Sequence, residues 1–305
     1  MSFPIFLVDA FACKQFEGNP AAVCLLTNEV LSDAQMLKIA VEMNQSETAF
    51  VSPINPSDTF QTGEHFNLRW FTPTNEVNLC GHATMATSAI IFEKRDNINE
   101  QLTFHTKSGE LMISKVGDEY VMDFPLNHTA PQVSRLENCK TFDSFTRLMY
   151  KLSIGKIEPQ DVQYAAIPHR DVVIRLPDST SRDVLEGLKP DTTAMMKAFP
   201  DGHIKGVIVT LRGCPENGGK DECGEMFDFM SRYFAPWNGI PEDPVTGSAH
   251  TVLGSYWSGQ LNKTELYARQ CSARGGNVRL SVKKTRVNLA GKAAIVVEGN
   301  ITLTS

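Results

Sequence analysis

The sequence has no clustered cysteines, no long apolar run and no excess of basic residues, and each lack excludes a class of function. Its seven cysteines (13, 24, 80, 139, 214, 223 and 271) are odd in number and scattered, with no CxxC pair. A disulfide framework is therefore disfavoured, and reduced thiols in the cytoplasm are the expectation. Cys80 and His82 form the one close Cys/His pair, which falls short of a zinc ligand set, so no metal is expected. No apolar stretch approaches the ~20 residues of a membrane-spanning helix. The opening "MSFPIFLVDAF" lacks a signal peptide's basic start and cleavage site, so no membrane role is expected. Net charge is −6, which argues against a nucleic-acid surface. GxGxxG and GxxxxGK[ST] fingerprints are missing, and "TGSAH" is not the GxSxG elbow of α/β-hydrolases.

What is present is strand. "PIFLVDAF", "AAVCLL", "TAFVSP", "FNLRWFT", "LTFHTKSGELMISKV", "YVMDFPL", "DVVIRLP", "GVIVTLRG", "NVRLSVKK", "RVNLAG" and "AAIVVEGNITL" all read so. Few helices interrupt them. Residues 33–43 carry a capping box from Ser32 to Gln35, with Met36, Ile39, Ala40 and Met43 on one face. Residues 143–152 and 181–188 read as two more. "GHATMATSAIIFEK" and "TGSAHTVLGSYW" begin with small residues and have no charge through two turns. Such helices are buried all round, and a sheet curved around each one is the simplest architecture.

The two buried helices sit in a repeated frame. "RWFTPTN" (69–75) precedes the first and "RYFAPWN" (232–238) the second, matching at Arg, an aromatic, Phe, Pro and Asn. A duplicated unit follows, with an α+β fold. The polar, proline-bearing "LNHTAPQVSR" (126–135) marks the boundary, giving domains 1–127 and 128–305, with the final strand (about 292–305) free to cross back. Small-molecule sites commonly lie in interdomain clefts, and a substrate is expected there.

A helix start presents unpaired N–H groups and the positive dipole end, and glycine lets a ligand come close. Gly81-His82-Ala83 and Gly247-Ser248-Ala249 are thus candidate carboxylate or phosphate cradles. Asp243, fixed between prolines in "PEDPVTGS", is suited to bind a substrate ammonium or orient a catalytic group. For proton chemistry the leading carboxylate is Glu47 in "NQSETAFVSP", although pattern alone does not choose it over Glu76 or Glu42.

"EGNPAAVCLL", "MNQSETAFV", "LRWFTPTNEVNLCGHAT" and "RYFAPWNGIPEDPVTGSAHTVLGSYW" resemble the signature blocks of the PhzF-like, or phenazine biosynthesis-like, family, across nearly the whole chain. The resemblance implies a diaminopimelate-epimerase-like fold of two pseudo-symmetric domains, each a barrel-like sheet around a central helix. It implies a cofactor-independent isomerase moving a proton on a small, carboxylate-bearing, amino-acid-like substrate. Glu47 would be the catalytic general acid/base. Asn19, Gly81, His82, Asp243, Gly247 and Ser248 would bind substrate.

Two alternatives stand beside this. A racemase or epimerase would use Cys80, but "EDPVTGS" supplies no matching thiol, which makes Cys80 a small buried wall residue instead. The other is a protein-interaction partner with a vestigial cleft. Neither a protein partner nor the oligomeric state is written in the sequence; a homodimer is the commonest symmetric option.

Overall fold

The capping box expected at Ser32 starts helix α1 (Asp33–Met43): the Ser32 hydroxyl accepts from Gln35 N–H, and the Gln35 side chain accepts from Ser32 N–H. Met36, Ile39 and Ala40 are buried, and Asn44, in the left-handed region at φ 48°, ends the helix. The computed structural model describes all residues except 28–29, 132–141, 167–168, 201 and 304–305. They divide into two units, Met1–Asp123 with Asn288–Ser305, and Phe124–Val287. Part of the expected boundary stretch, 132–135, lies outside the described residues.

The first unit contains strands β1 (Ser2–Ala10), β2 (Asn19–Leu25), β3 (Thr48–Pro53), β4 (His65–Phe71), β5 (Glu76–Val77), β6 (Gln101–Thr106), β7 (Gly109–Val116) and β8 (Glu119–Pro125). Pairing is antiparallel for β1–β2, parallel for β2–β3, antiparallel for β3–β4, parallel for β4–β6 and antiparallel for β6–β7. Helix α1 makes the crossover between β2 and β3, because parallel neighbours need one. Helix α2 (Gly81–Lys94) is buried without a break from His82 to Phe92. Its polar residues survive there because Thr84, Thr87 and Ser88 each donate to the carbonyl four residues back, at 2.7–2.9 Å.

The second unit contains β9 (Thr129–Pro131), helix α3 (Phe142–Ile154), β10 (Asp161–Ala165), β11 (Asp171–Arg175), helices α4 (Arg182–Glu186) and α5 (Thr192–Ala198), and β12 (Gly206–Arg212). Then come β13 (Phe229–Ala235), β14 (Ile240–Asp243), helix α6 (Gly247–Leu261), β15 (Glu265–Gln270) and β16 (Gly276–Val282), and β17 (Arg286–Gly291) begins in this unit and ends in the first. The pairing sequence is that of the first unit: β10–β11 antiparallel, β11–β12 parallel, β12–β13 antiparallel, β13–β15 parallel, β15–β16 antiparallel. Helix α6 takes the place of α2, and Gly254 lets it approach the sheet. A Cβ there would lie 3.2 Å from Leu280 and 3.4 Å from Val282. The last strand, β18 (Ala293–Thr302), returns to the first unit and pairs antiparallel with β1.

Some elements have no sequence counterpart above. Strand β13 is buried at every position, so it shows no alternation to read. β5, β9, β10, β14, β15 and α5 were likewise unforeseen; several are too short for a period.

Candidate functional site

The left-handed Asn44 turns the chain out of α1, and the residues that follow run beside the start of β2. Ala22 N–H donates to the Glu47 carbonyl at 3.1 Å, which fixes the Glu47 backbone just ahead of β3. Asn19, the first residue of β2, is fully buried. The Ser46 hydroxyl donates to the Pro20 carbonyl at 3.4 Å and lies 3.2 Å from His82 Nε2. Glu47 Oε2 lies 3.3 Å from the same nitrogen. On the other side of the ring, Cys80 Sγ is 3.4 Å from Nδ1.

The short Glu47–His82 distance is not aligned as a hydrogen bond, and Glu47 Oε2 has no hydrogen-bond partner among the described residues. The two groups are thus in close contact without a hydrogen bond between them. A neutral imidazole has one donor and one acceptor nitrogen, and a carboxylate only accepts. Because the Ser46 hydroxyl already donates to the Pro20 carbonyl, the tautomer with its proton on Nε2 donates to Ser46 Oγ and leaves Nδ1 to accept from the Cys80 thiol.

Glu47, Cys80 and His82 also bring one ligand atom each within 4.8 Å of one another. That donor set suits a soft divalent metal in kind. Yet the ring faces Cys80 with one nitrogen and Glu47 with the other, so one ion would have to displace at least one contact. The geometry reads as a carboxylate–imidazole–thiol chain. Cys80, expected as an inert wall, is buried but touches the imidazole.

Gly81 opens α2 behind Cys80, whose side chain makes no capping hydrogen bond, and the first turn holds no acidic residue. The mouth of α6 has the same form: Thr246 occupies the cap position without capping. Its hydroxyl is taken by the Asp243 carboxylate, to which it donates. Gln270 completes the arrangement, accepting from Thr246 N–H at 2.9 Å and donating to the Asp243 carbonyl at 2.6 Å. Asp243 is buried, Gly247 half-buried and Ser248 exposed. One turn in, His250 is wholly buried, and burial pushes its imidazole down to about 4.

Glu47 and His82 thus meet in the first unit, and Asp243, Gly247 and Ser248 gather at one helix start in the second. Ser46, Thr246 and Gln270 were missed. Ser46 stands in the same block as Glu47 and Thr246 in the same block as Asp243, so adjacency could have found them. Gln270 comes from a strand 24 residues beyond Thr246, and nothing local marks it.

The comparisons with known proteins agree with this architecture. A phenazine biosynthesis-like domain-containing protein of Rattus norvegicus is 49% identical over 303 residues, 99% of this chain and 100% of that protein. An uncharacterized isomerase of Pseudomonas aeruginosa is 40% identical over the same shares. The crystal structure of a PhzF-family phenazine biosynthesis protein from Enterococcus faecalis superimposes with a TM-score of 0.79 at 35% identity, covering 99% of this chain and 100% of that one. A hydroxyproline epimerase from Agrobacterium vitis shares the fold alone, with a TM-score of 0.53 at 9% identity over 98% and 92% of the chains. The chain matches the profile described as "Phenazine biosynthesis-like protein" over residues 8–299, and it belongs to that family.

Proposed function

We propose that this protein is a cofactor-independent isomerase. In this reading Glu47 takes a proton from one carbon of a small, carboxylate-bearing, amino-acid-like substrate and returns it to another. The observation that carries the reading is the Glu47 carboxylate, part-buried beside His82, with one oxygen that makes no hydrogen bond among the described residues. A general base needs such an uncommitted oxygen. His82 Nε2, 3.3 Å away, faces the Glu47 carboxylate, and in this reading Asn19 and Gly81 contribute to binding the substrate. The uncapped N–H groups of α2 and α6 suit a carboxylate group, and Gly247 and Ser248 contribute to the second of these. On the same reading Asp243, to which Thr246 donates, receives a substrate ammonium. The isomerase named among the bacterial relatives supports the reaction class.

The test is deuterium uptake. The protein is incubated in D2O with a panel of small unsaturated and saturated α-amino carboxylates, and carbon-bound hydrogen is followed by NMR. We expect uptake with at least one compound, and a loss of roughly 100- to 10,000-fold in Glu47→Gln. Undiminished exchange in Glu47→Gln would overturn the assignment.

One observation favours a second reading. Cys80 Sγ lies 3.4 Å from His82 Nδ1, so a racemase or epimerase would use Cys80 as its base, relayed through His82. Under that reading Cys80→Ser abolishes exchange while Glu47→Gln retains it.

A further inference from the structure

Strand register places a second carboxyl beside the position equivalent to the one Glu47 holds in its own unit. Phe71 and Phe234 occupy the same place in the repeated segments; Phe71 pairs with Thr48, and Phe234 with Val207. Glu47, just before Thr48, is therefore matched by Gly206. In the parallel pairs Ala22 lies beside Thr48 and Val172 beside Val207. Counting back three residues matches Asn19 with His169.

The space beside Gly206 is filled. A Cβ there would lie 2.4 Å from Asp171 Oδ1 and 2.4 Å from the Tyr233 hydroxyl. Only glycine lets these two groups occupy the position. Asp171, the register neighbour of Gly206, is 1% exposed, and Tyr233 donates to its Oδ1 at 3.2 Å. The other oxygen has no hydrogen-bond partner among the described residues, with His169 Nδ1 3.8 Å away. Lys205 is the cation that acts on Asp171. Tyr233 pairs across β13 and β14 with Asp243, whose charge also bears on the phenol.

We infer that Asp171, with Tyr233 and His169 around it, is the proton-holding carboxyl of the second unit, in register with Glu47, and that it positions Tyr233 against Asp243. This inference does not rest on the isomerase reading. Burial pushes the Asp171 carboxyl up from 3.8 to about 7, the Tyr233 hydrogen bond and Lys205 opposing; the same burial lowers His169 and raises Tyr233. Asp171 and Tyr233 thus keep their protons below about pH 7, while burial disfavours the charged form of His169.

The sign follows from proton binding. Between pH 3.8 and about 7 the folded protein keeps a proton that the unfolded chain releases, so Asp171 lowers stability progressively as pH rises through that window. His250 slopes the other way: buried neutral, it costs stability as pH falls from 6.5 towards about 4. The two slopes oppose each other, so a comparison of the wild type with a variant isolates the first. Asp171→Asn removes the first slope and keeps the second.

The experiment is urea unfolding of the full chain and of Asp171→Asn from about pH 4 to pH 8.5. The variant's unfolding constant relative to wild type is expected to shift in its favour by at least tenfold across the window. The ceiling is about 1,000-fold, from the shift of 3.8 to about 7, and the curve flattens above neutrality. A pH-independent difference would overturn the inference. If the variant does not fold, infrared spectra of wild type with 13C-labelled aspartate carboxyls decide. A protonated-acid band present near pH 6 and lost by pH 8.5 is expected, and its absence at pH 6 would overturn the inference.

Discussion

Arg69 and Arg232 stand at the same place in the duplicated segments, and replacing each with Met should have unequal consequences. Both guanidiniums lie over the Phe two residues on, at 5.1 and 4.9 Å, and both clasp a glutamate with two hydrogen bonds, Glu76 and Glu242. Their surroundings differ. Arg232 is 8% exposed and also donates to the carbonyls of Leu185, Glu186 and Leu188 at 3.0, 3.0 and 2.8 Å, closing the end of α4. Arg69 is 30% exposed, and its extra partner is Asp33, itself 75% exposed. Methionine keeps the aliphatic stem over the ring and deletes only the charged head. At Arg232 this strips five hydrogen bonds and leaves a part-buried carboxylate and three carbonyls without that donor, a cost of about 3–5 kcal/mol. At Arg69 water replaces much of what is lost, and Glu76 retains Lys107, so the cost is about 1 kcal/mol. Urea unfolding followed by fluorescence reads both, since Trp70 reports on the first unit and Trp237 and Trp257 on the second. If Arg69→Met costs as much as Arg232→Met, burial is not what separates the two.

Three further outcomes are expected. Ser32→Ala removes the hydroxyl half of the α1 capping box, leaving the backbone N–H of residue 32 to Gln35, and should cost about 1 kcal/mol by the same unfolding assay. Trp257→Ala should cost about 3–5 kcal/mol, because its indole is fully buried, stacks on Phe229 and donates to the Thr210 hydroxyl; a thermal midpoint within a degree of wild type would refute the packing. His250→Gln should resist acid better than wild type. The wild-type imidazole, held down to about 4, charges on unfolding once pH falls below 6.5, so the variant's stability advantage should grow between pH 6.5 and 4, measured by urea midpoints.

Local chemistry wrote much of the fold into the sequence. The Ser32–Gln35 box marked α1 to the residue, and the uncharged openings of α2 and α6 announced helices buried all round. The recurrence of Arg, an aromatic, Phe, Pro and Asn announced a duplication that strand register then repeated pair by pair. His82 and Asp243 were legible from a glycine helix start and a proline-flanked turn, whereas only the family resemblance singles out Glu47 over Glu76 and Glu42.

Tertiary structure decided the rest. Whether Cys80 is a wall or a neighbour of the imidazole depends on a ring rotation set by Ser46 and Glu47, 36 and 35 residues away in sequence. Gln270 reaches Asp243 and Thr246 only because β15 lies beside β13 in parallel register. Asp171 looks in the sequence like an ordinary polar residue before an apolar strand. Its chemistry comes from three strands closing over it, with Gly206 leaving the room. Local propensity acts over a few residues and is written in order along the chain; burial and pKa are set by whatever the sheet brings alongside, and no stretch of sequence contains that.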